Sequence, residues 1–167
     1  MSEPNGFDIR YTEETDYLFL ENLFLDEMSF DPFPFEFEQK DQALKNWIGY
    51  SKYKASLTGT LQNIPCAIGT LFLMPYKKVA HHCSFYLIVD PSYRNQGIGT
   101  SMVKNLLHLA RERFKLESMH VEIYEPNPLM SIVKKLNFEE FARQDGFLKI
   151  GTCTKPRVLL EHFFIKN

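Results

Sequence analysis

The chain has 167 residues, of which 44% are hydrophobic and 14% aromatic, and 19 basic against 21 acidic side chains leave a net charge of -2. That size and apolar content suit one domain spanning 1–167 with a substantial core, and the lack of a basic stripe argues against a nucleic-acid surface. Cys66, Cys83 and Cys153 contain no C-x-x-C pair, no metal is expected, and neither a leader pattern nor a membrane-spanning run occurs, so a soluble, cytoplasmic protein without a membrane partner is expected.

Phe7 to Tyr11 alternates apolar and polar residues as a half-buried strand does. Thr12 reads as the N-cap of a helix with Glu13, Glu14 and Asp16 in its first turn and Tyr17, Leu20, Phe24 and Met28 at helical spacing. A second helix is expected over Glu38 to Tyr53, with Ala43, Leu44, Trp47, Ile48 and Ser51 inward. Between the two, Ser29 to Glu38 holds four Phe and two Pro, and proline makes such a connector extended. Its rings either plug the core or line a recognition pocket or interface, with Phe30, Phe33 and Phe35 as the candidates for binding a substrate. Asp31, Glu36 and Glu38 lend negative potential suited to a cationic amine.

Lys54 to Leu61, Cys66 to Met74 and Val79 to Val89 form an antiparallel meander, the first two joined through Gln62-Asn63-Ile64-Pro65. Ile98, Met102, Leu106, Leu109, Ala110 and Phe114 then share one helical face. Met119 to Tyr124 is a strand stopped by Glu125-Pro126-Asn127-Pro128, and this strand, helix, strand succession implies a right-handed crossover with parallel neighbours. Leu129 to Leu136 is a short helix closed by Asn137 in the left-handed conformation. Phe138 to Arg143 and Arg157 to Ile165 are the last strands, with a turn at Gln144-Asp145-Gly146 and a break at Lys155-Pro156. The fold class is therefore α/β (α+β), a mixed central sheet of about seven strands with about four helices in the order β-α-α-β-β-β-α-β-α-β-β.

The chemistry centres on Val89 to Thr100, where an apolar strand gives way to the long helix. Gly97 and Gly99 fall in the first turn, where they cost helix propensity, so a steric use is expected: bare amides that an external group can approach. Unpaired N–H groups, the positive end of the helix dipole and Arg94 upstream together make an anion site. The spacing Arg-x-x-Gly-x-Gly is neither the dinucleotide fingerprint nor the Walker loop.

Together with Tyr86-Leu87-Ile88-Val89-Asp90-Pro91, and with Asn127 and Lys135-Leu136-Asn137-Phe138 further on, this stretch resembles the acetyl-CoA pyrophosphate loop of the GNAT N-acetyltransferase superfamily. The element order is similar to that family's over nearly the whole chain. The resemblance implies a GNAT fold and an acetyl-CoA-dependent N-acetyltransferase. Its acceptor would be a primary amine, whether small molecule, amino acid or protein amino group, attacking the thioester directly. It implies that two parallel strands splay at a bulge, that Leu87, Ile88 and Val89 offer backbone to the pantetheine arm, and that a backbone N–H near Val89 stabilises the oxyanion. It further implies that Arg94, Asn95, Gln96, Gly97, Ile98, Gly99 and Thr100 hold the pyrophosphate, and that Asn127 faces the pantetheine region. A homodimer is compatible with the resemblance.

An alkyl ammonium with a pKa near about 10.4 must lose a proton before attack, and the departing thiolate can take one. Where many family members carry a Tyr for the thiolate this chain has Val133, and an acidic residue usual at about Ser84 is missing. His82, Glu122 and Tyr124 are the catalytic candidates, with Tyr86 and His81 beside them. Adjacent strand residues face opposite ways, so at most one of His81 and His82 faces a cleft, whereas Glu122 shares its face with His120 and Tyr124. The Phe30 to Phe37 segment and the Glu161 to Asn167 end are expected to flank the acceptor entrance. The missing Tyr and acidic residue leave a second reading open, a GNAT-like module that binds CoA as a structural or regulatory ligand without turnover.

Overall fold

Alternation along the strands decides which side of the sheet each helix covers. The computed structural model describes residues 2–25 and 27–164. The elements are β1 (Phe7–Tyr11), α1 (Tyr17–Asn22), α2 (Lys40–Gly49), β2 (Ser56–Leu61), β3 (Ile64–Leu73), β4 (His82–Val89), α3 (Ile98–Glu112), β5 (Ser118–Tyr124), α4 (Leu129–Lys135), β6 (Glu139–Ile150) and β7 (Cys153–Phe163). One seven-stranded mixed sheet runs β1-β2-β3-β4-β5-β7-β6, with the strand and helix order the sequence implies.

On one face Leu57, Leu71, Cys83, Phe85, Met119 and Val121 meet Ile98, Met102 and Leu106 of α3 and Val133 of α4. On the other, Ile68 and Ile88 meet Leu20, Phe24, Leu44, Trp47 and Ile48. The expected face of α3 is the buried one: Ile98, Met102, Leu106, Leu109 and Ala110 all lie inside. Leu106 seats directly on Gly69, where a Cβ would come within 2.7 Å of its Cδ1, so α3 lies close against β3.

The pairing of β4 with β5 positions the site. These parallel neighbours share only His82↔Ser118, Cys83↔Met119 and Ser84↔His120. Beyond them β4 stays paired to β3 as far as Val89, and β5 to β7 as far as Tyr124, so a gap opens between two otherwise continuous halves of the sheet.

A buried polar chain fixes the first connection. Thr12 is not the helix cap; Glu13 and Asp16 form a capping box instead. The Thr12 hydroxyl is 2.8 Å from that of Ser56, which lies 2.6 Å from Thr70, while Thr58 donates to Asp16 at 2.9 Å and its hydroxyl lies 2.9 Å from that of Thr12. Arg10 grips Asp16 with two bonds of 2.7 and 2.9 Å. Burial pushes the Asp16 carboxyl up, but Arg10, the Glu13 amide and Thr58 outweigh it and hold the pKa below its ordinary value.

Several boundaries differ from expectation. The first helix ends at Asn22, and the second begins at Lys40 and gives way to a 3-10 turn over Tyr50–Tyr53. The β2–β3 turn is the two residues Gln62 and Asn63, both at positive φ, with Leu61 opposite Ile64. The largest correction concerns the last hairpin. Gln144-Asp145-Gly146 is not a turn but part of an irregularity within the 12-residue β6, between the Gln144↔Arg157 and Leu148↔Lys155 pairs. Pro156 lies inside β7 opposite that irregularity, where its missing N–H interrupts no paired rung. Ile165, the expected last residue of this strand, and positions 166 and 167 lie outside the described residues.

Candidate active site

One side of the candidate site is built from the turn after β4. Asp90 accepts the Ser92 amide at 2.8 Å, a 3-10 turn over Pro91–Tyr93 follows, and positive φ at Asn95 (60°) and Gly97 (81°) reverses the chain into α3. No side chain caps this helix, and the first N–H to find a helix-type acceptor is Ser101, bonded to the Gly97 carbonyl at 3.1 Å. The amides of Gly97, Ile98, Gly99 and Thr100 are thus the orphan donors of a helix start, a chemistry that suits a diphosphate. Arg94 is exposed beside them, and its Nε donates to the Val89 carbonyl at 3.1 Å, tying the charged side chain to the end of β4.

The two glycines have different uses. Gly97 supplies the left-handed backbone. Gly99 leaves its amide uncovered and also makes room for a neighbour: a Cβ there would stand 2.9 Å from Ile132 Cδ1 of α4. The Asp90 N–H bonds the Cys66 carbonyl at 2.9 Å, towards β3. By strand alternation the N–H and C=O groups of Leu87 and Val89 point the other way, into the gap, while those of Ile88 face β3. The Ile88 side chain is buried among Phe24 and Trp47. Asn127 accepts the Leu129 amide through Oδ1 at 2.9 Å, which ties it to the start of α4 and leaves its NH2 group without a partner among the described residues.

On the α1–α2 face, at the foot of the gap, lies a cavity of about 410 Å³. β4 contributes His82, Ser84 and Tyr86, β5 His120 and Glu122, and β7 Leu159 and Glu161, with Phe141 of β6 closing one side. His82 lines it while His81 is exposed, as alternation requires. The His82 and His120 rings are 5.5 Å apart. Burial and the neighbouring His82 lower the His120 pKa, against the opposing pull of Glu161 and Glu122, so its ring is a neutral acceptor near pH 7.

Glu122 accepts the Tyr124 hydroxyl and lies 3.5 Å from Arg157 Nη1. Arg157 also donates to Gln144 at 2.8 Å and stands 3.9 Å over the Phe147 ring, which stacks on Tyr124. Burial and the Glu122 carboxylate push the Tyr124 phenol up, so it stays protonated. Tyr86 is raised by burial and by Glu122 as well. Burial pushes the Cys66 thiol up to about 11 and the Cys83 thiol up to about 12, which leaves neither as a nucleophile. Val133 is fully buried, so the position usual for a Tyr offers no hydroxyl. Among the described residues no cluster of His, Cys, Asp or Glu could hold a metal ion.

The aromatic connector serves mainly as core. Phe30 and Phe33 are buried with Phe24 and Trp47, and Phe35 packs partly against them. Phe33 reaches the site only through its ring contact with Tyr86, at 5.6 Å. A separate cavity of about 420 Å³ lies between this connector and Leu148–Ile150 of β6. His120 and Glu161 enter the site because β5 and β7 set them opposite each other. Sequence pattern does not mark Arg157 and Phe147 as site residues, since Arg157 opens an expected strand and Phe147 directly follows the expected turn at Gln144-Asp145-Gly146.

A gap between two parallel strands beside an uncapped, glycine-started helix is the architecture of an acyl-CoA-dependent transferase. The family described as Acetyltransferase (GNAT) family matches residues 19–130, and the chain belongs to it. Its members are acetyltransferases whose acyl donor is acetyl-CoA, and the orphan amides of α3 with Arg94 suit that donor's diphosphate. Among solved structures, yncA from Salmonella typhimurium, solved with its cofactor acetyl-CoA, superposes with a TM-score of 0.84 at 12% identity, covering 98% of this chain and 96% of that one. An acetyltransferase of the GNAT family from Streptococcus pneumoniae gives 0.79 at 15% identity over 95% and 99% of the two chains. The ribosomal-protein-alanine N-acetyltransferase from Brucella melitensis gives 0.75 at 17% identity over 93% and 99%. At such identities these likenesses speak for the fold. No curated protein sequence matches the chain. No helix among the described residues is long and apolar enough to cross a membrane.

Proposed function

We propose that the protein moves the acetyl group of acetyl-CoA to a primary amine seated in the cavity lined by His82, Glu122 and Glu161. The observation that supports this most is the end of the β4–β5 ladder at Ser84 and His120, because the donor-side gap and the amine-side cavity meet there. Bound acetyl-CoA supplies a thioester whose C–S bond breaks as the amine's C–N bond forms.

The chain's own part is to align and to move protons. Gly97 to Thr100 and Arg94 anchor the diphosphate, while the inward-facing backbone of Leu87 and Val89 orders an extended chain and offers N–H groups to developing negative charge. Glu122 takes the ammonium's proton, directly or through one water, with neutral His120 alongside and His82 in the same wall. Tyr124, held as a phenol on Glu122, is the proton source on the opposite side of the exchange. The test is amine-dependent release of free thiol from acetyl-CoA, with mass analysis of the acetylated amine. Tight CoA binding without acceptor-dependent thiol release over a broad amine panel would overturn the proposal and favour a binding module.

A further inference from the structure

Resting on that acetyl-transfer reading, we propose that the acceptor is an aliphatic diamine with two ammonium groups and no carboxylate, and that Glu161 holds the ammonium that does not react. The cavity has two carboxylates in its wall, Glu122 and Glu161, and no Lys or Arg among its described lining residues. The cation paired with Glu122 is Arg157, which lies outside the cavity wall; its two Nη groups already serve Glu122 and Gln144 and its guanidinium stacks on Phe147, while its buried Nε is unpaired. An acceptor with a carboxylate would bring that group against two like charges with no Lys or Arg in the described cavity wall to receive it.

Glu161 is half-buried and has no hydrogen-bond or ion-pair partner among the described residues. A carboxylate in that position gains from a cation supplied by a ligand. Its spacing from Glu122 then selects the ligand's length. The β5–β7 register sets His120 opposite Glu161 and Glu122 opposite Leu159, so the two Glu residues are diagonal neighbours on one face. Diagonal neighbours on an antiparallel pair lie about 7–8 Å apart. An extended chain of about four or five methylenes separates two nitrogens by roughly 6–8 Å at ordinary bond lengths. Tyr86, Phe141 and Leu159 give such a chain apolar walls.

Three probes separate the terms: 1,5-diaminopentane, 1-aminopentane, which lacks one ammonium, and L-lysine, which adds a carboxylate. Each is titrated calorimetrically into the full chain loaded with coenzyme A, and each is assayed for thiol release from acetyl-CoA. The diamine is expected to bind at least about tenfold more tightly than either analogue, about 1.4 kcal/mol by the standard conversion. Glu161→Gln, a near-isosteric change, should bring the ratio of diamine to monoamine affinity down towards one. Equal binding of monoamine and diamine, undiminished binding of lysine, no binding of any probe, or an unchanged preference in Glu161→Gln would each overturn the assignment. Thiol release with other amines and no diamine preference would overturn it while leaving acetyl transfer intact. Glu161-dependent diamine binding with no thiol release would sustain the ammonium site and overturn acetyl transfer.

Discussion

Replacing Glu122 by Gln removes the proposed proton acceptor while keeping a side chain of the same shape. The structural cost is small. Its partner Arg157 is 26% exposed and Glu122 31%, so the ion pair is only partly screened and its loss costs about 1–2 kcal/mol, while the amide oxygen of Gln can still accept from Tyr124. Loss of a positioned base costs about 10²- to 10⁴-fold in rate, or roughly 3–5 kcal/mol of transition-state stabilisation, well above the folding penalty. The variant should therefore stay folded and bind coenzyme A normally while kcat/KM for a primary amine falls by at least about a hundredfold at pH 7. Because the free-amine fraction of an acceptor with a pKa near about 10.4 rises about tenfold per pH unit, the variant's rate should climb that steeply between about pH 7 and 9 and recover much of the deficit. The assay is thiol release at saturating acetyl-CoA across that range, beside a calorimetric CoA titration. A variant that parallels the parent within about threefold at every pH would refute Glu122 as the base.

Tyr124→Phe removes a phenol that burial and Glu122 keep protonated; kcat should fall about tenfold or more with acceptor KM little changed, and a change in KM alone would argue for a packing role. Gly97→Ala imposes a side chain at φ 81° and should cost about 1–2 kcal/mol of stability while weakening coenzyme A binding, read by calorimetry and thermal melting. Phe33→Ala should cost about 3–5 kcal/mol in urea titration, since the ring is packed against Phe24, Trp47 and Tyr86; an unchanged melting point with a raised acceptor KM would return Phe33 to the substrate side. Asp16 has a folded pKa below its unfolded value, so its contribution is present above the ordinary carboxylate range and is lost as pH falls through the folded pKa. Asp16→Asn should flatten that acid-side slope and cost about 2 kcal/mol at pH 7, less than for a fully buried pair because Arg10 is 36% exposed.

The parts of the fold legible in the sequence are those where one residue's neighbours decide its place. The apolar face of α3 from Ile98 to Ala110 and the alternation of β4 from His82 to Tyr86 and of β5 from Met119 to Ile123 are local patterns, and each follows burial, whereas Phe114 lies beyond α3. The left-handed Asn137 at the end of α4 was equally visible. The β6–β7 hairpin was not, because Gln144-Asp145-Gly146 and Lys155-Pro156 have turn composition yet sit opposite one another inside a single long hairpin. Only pairing across the sheet distinguishes an irregular rung from a turn. Thr12 misled for a related reason: its hydroxyl bonds Ser56 and Thr58, more than 40 residues away, rather than the helix beside it. The same limit applies to the site. Glu122 and Tyr124 share a face by local alternation, but the placing of His120 opposite Glu161 depends on the register of β5 with β7, and the burial of Phe30 and Phe33 on the packing of α1 and α2.

Three shared rungs between β4 and β5 also make the sheet mechanically two leaves. Strands β1 to β4 form one and β5 to β7 the other, and across the seam it is mostly the side-chain core beneath α3 and α4 that transmits force, not backbone hydrogen bonding. An extended ligand in the gap would act as a splint, pairing with the exposed edge of β4. Saturating such a ligand at about a hundred times its Kd adds about 2.7 kcal/mol to the folded state. Amide exchange at Leu87, Val89 and the facing stretch of β5 would then slow together on donor loading, turning two separately fraying edges into one cooperative unit.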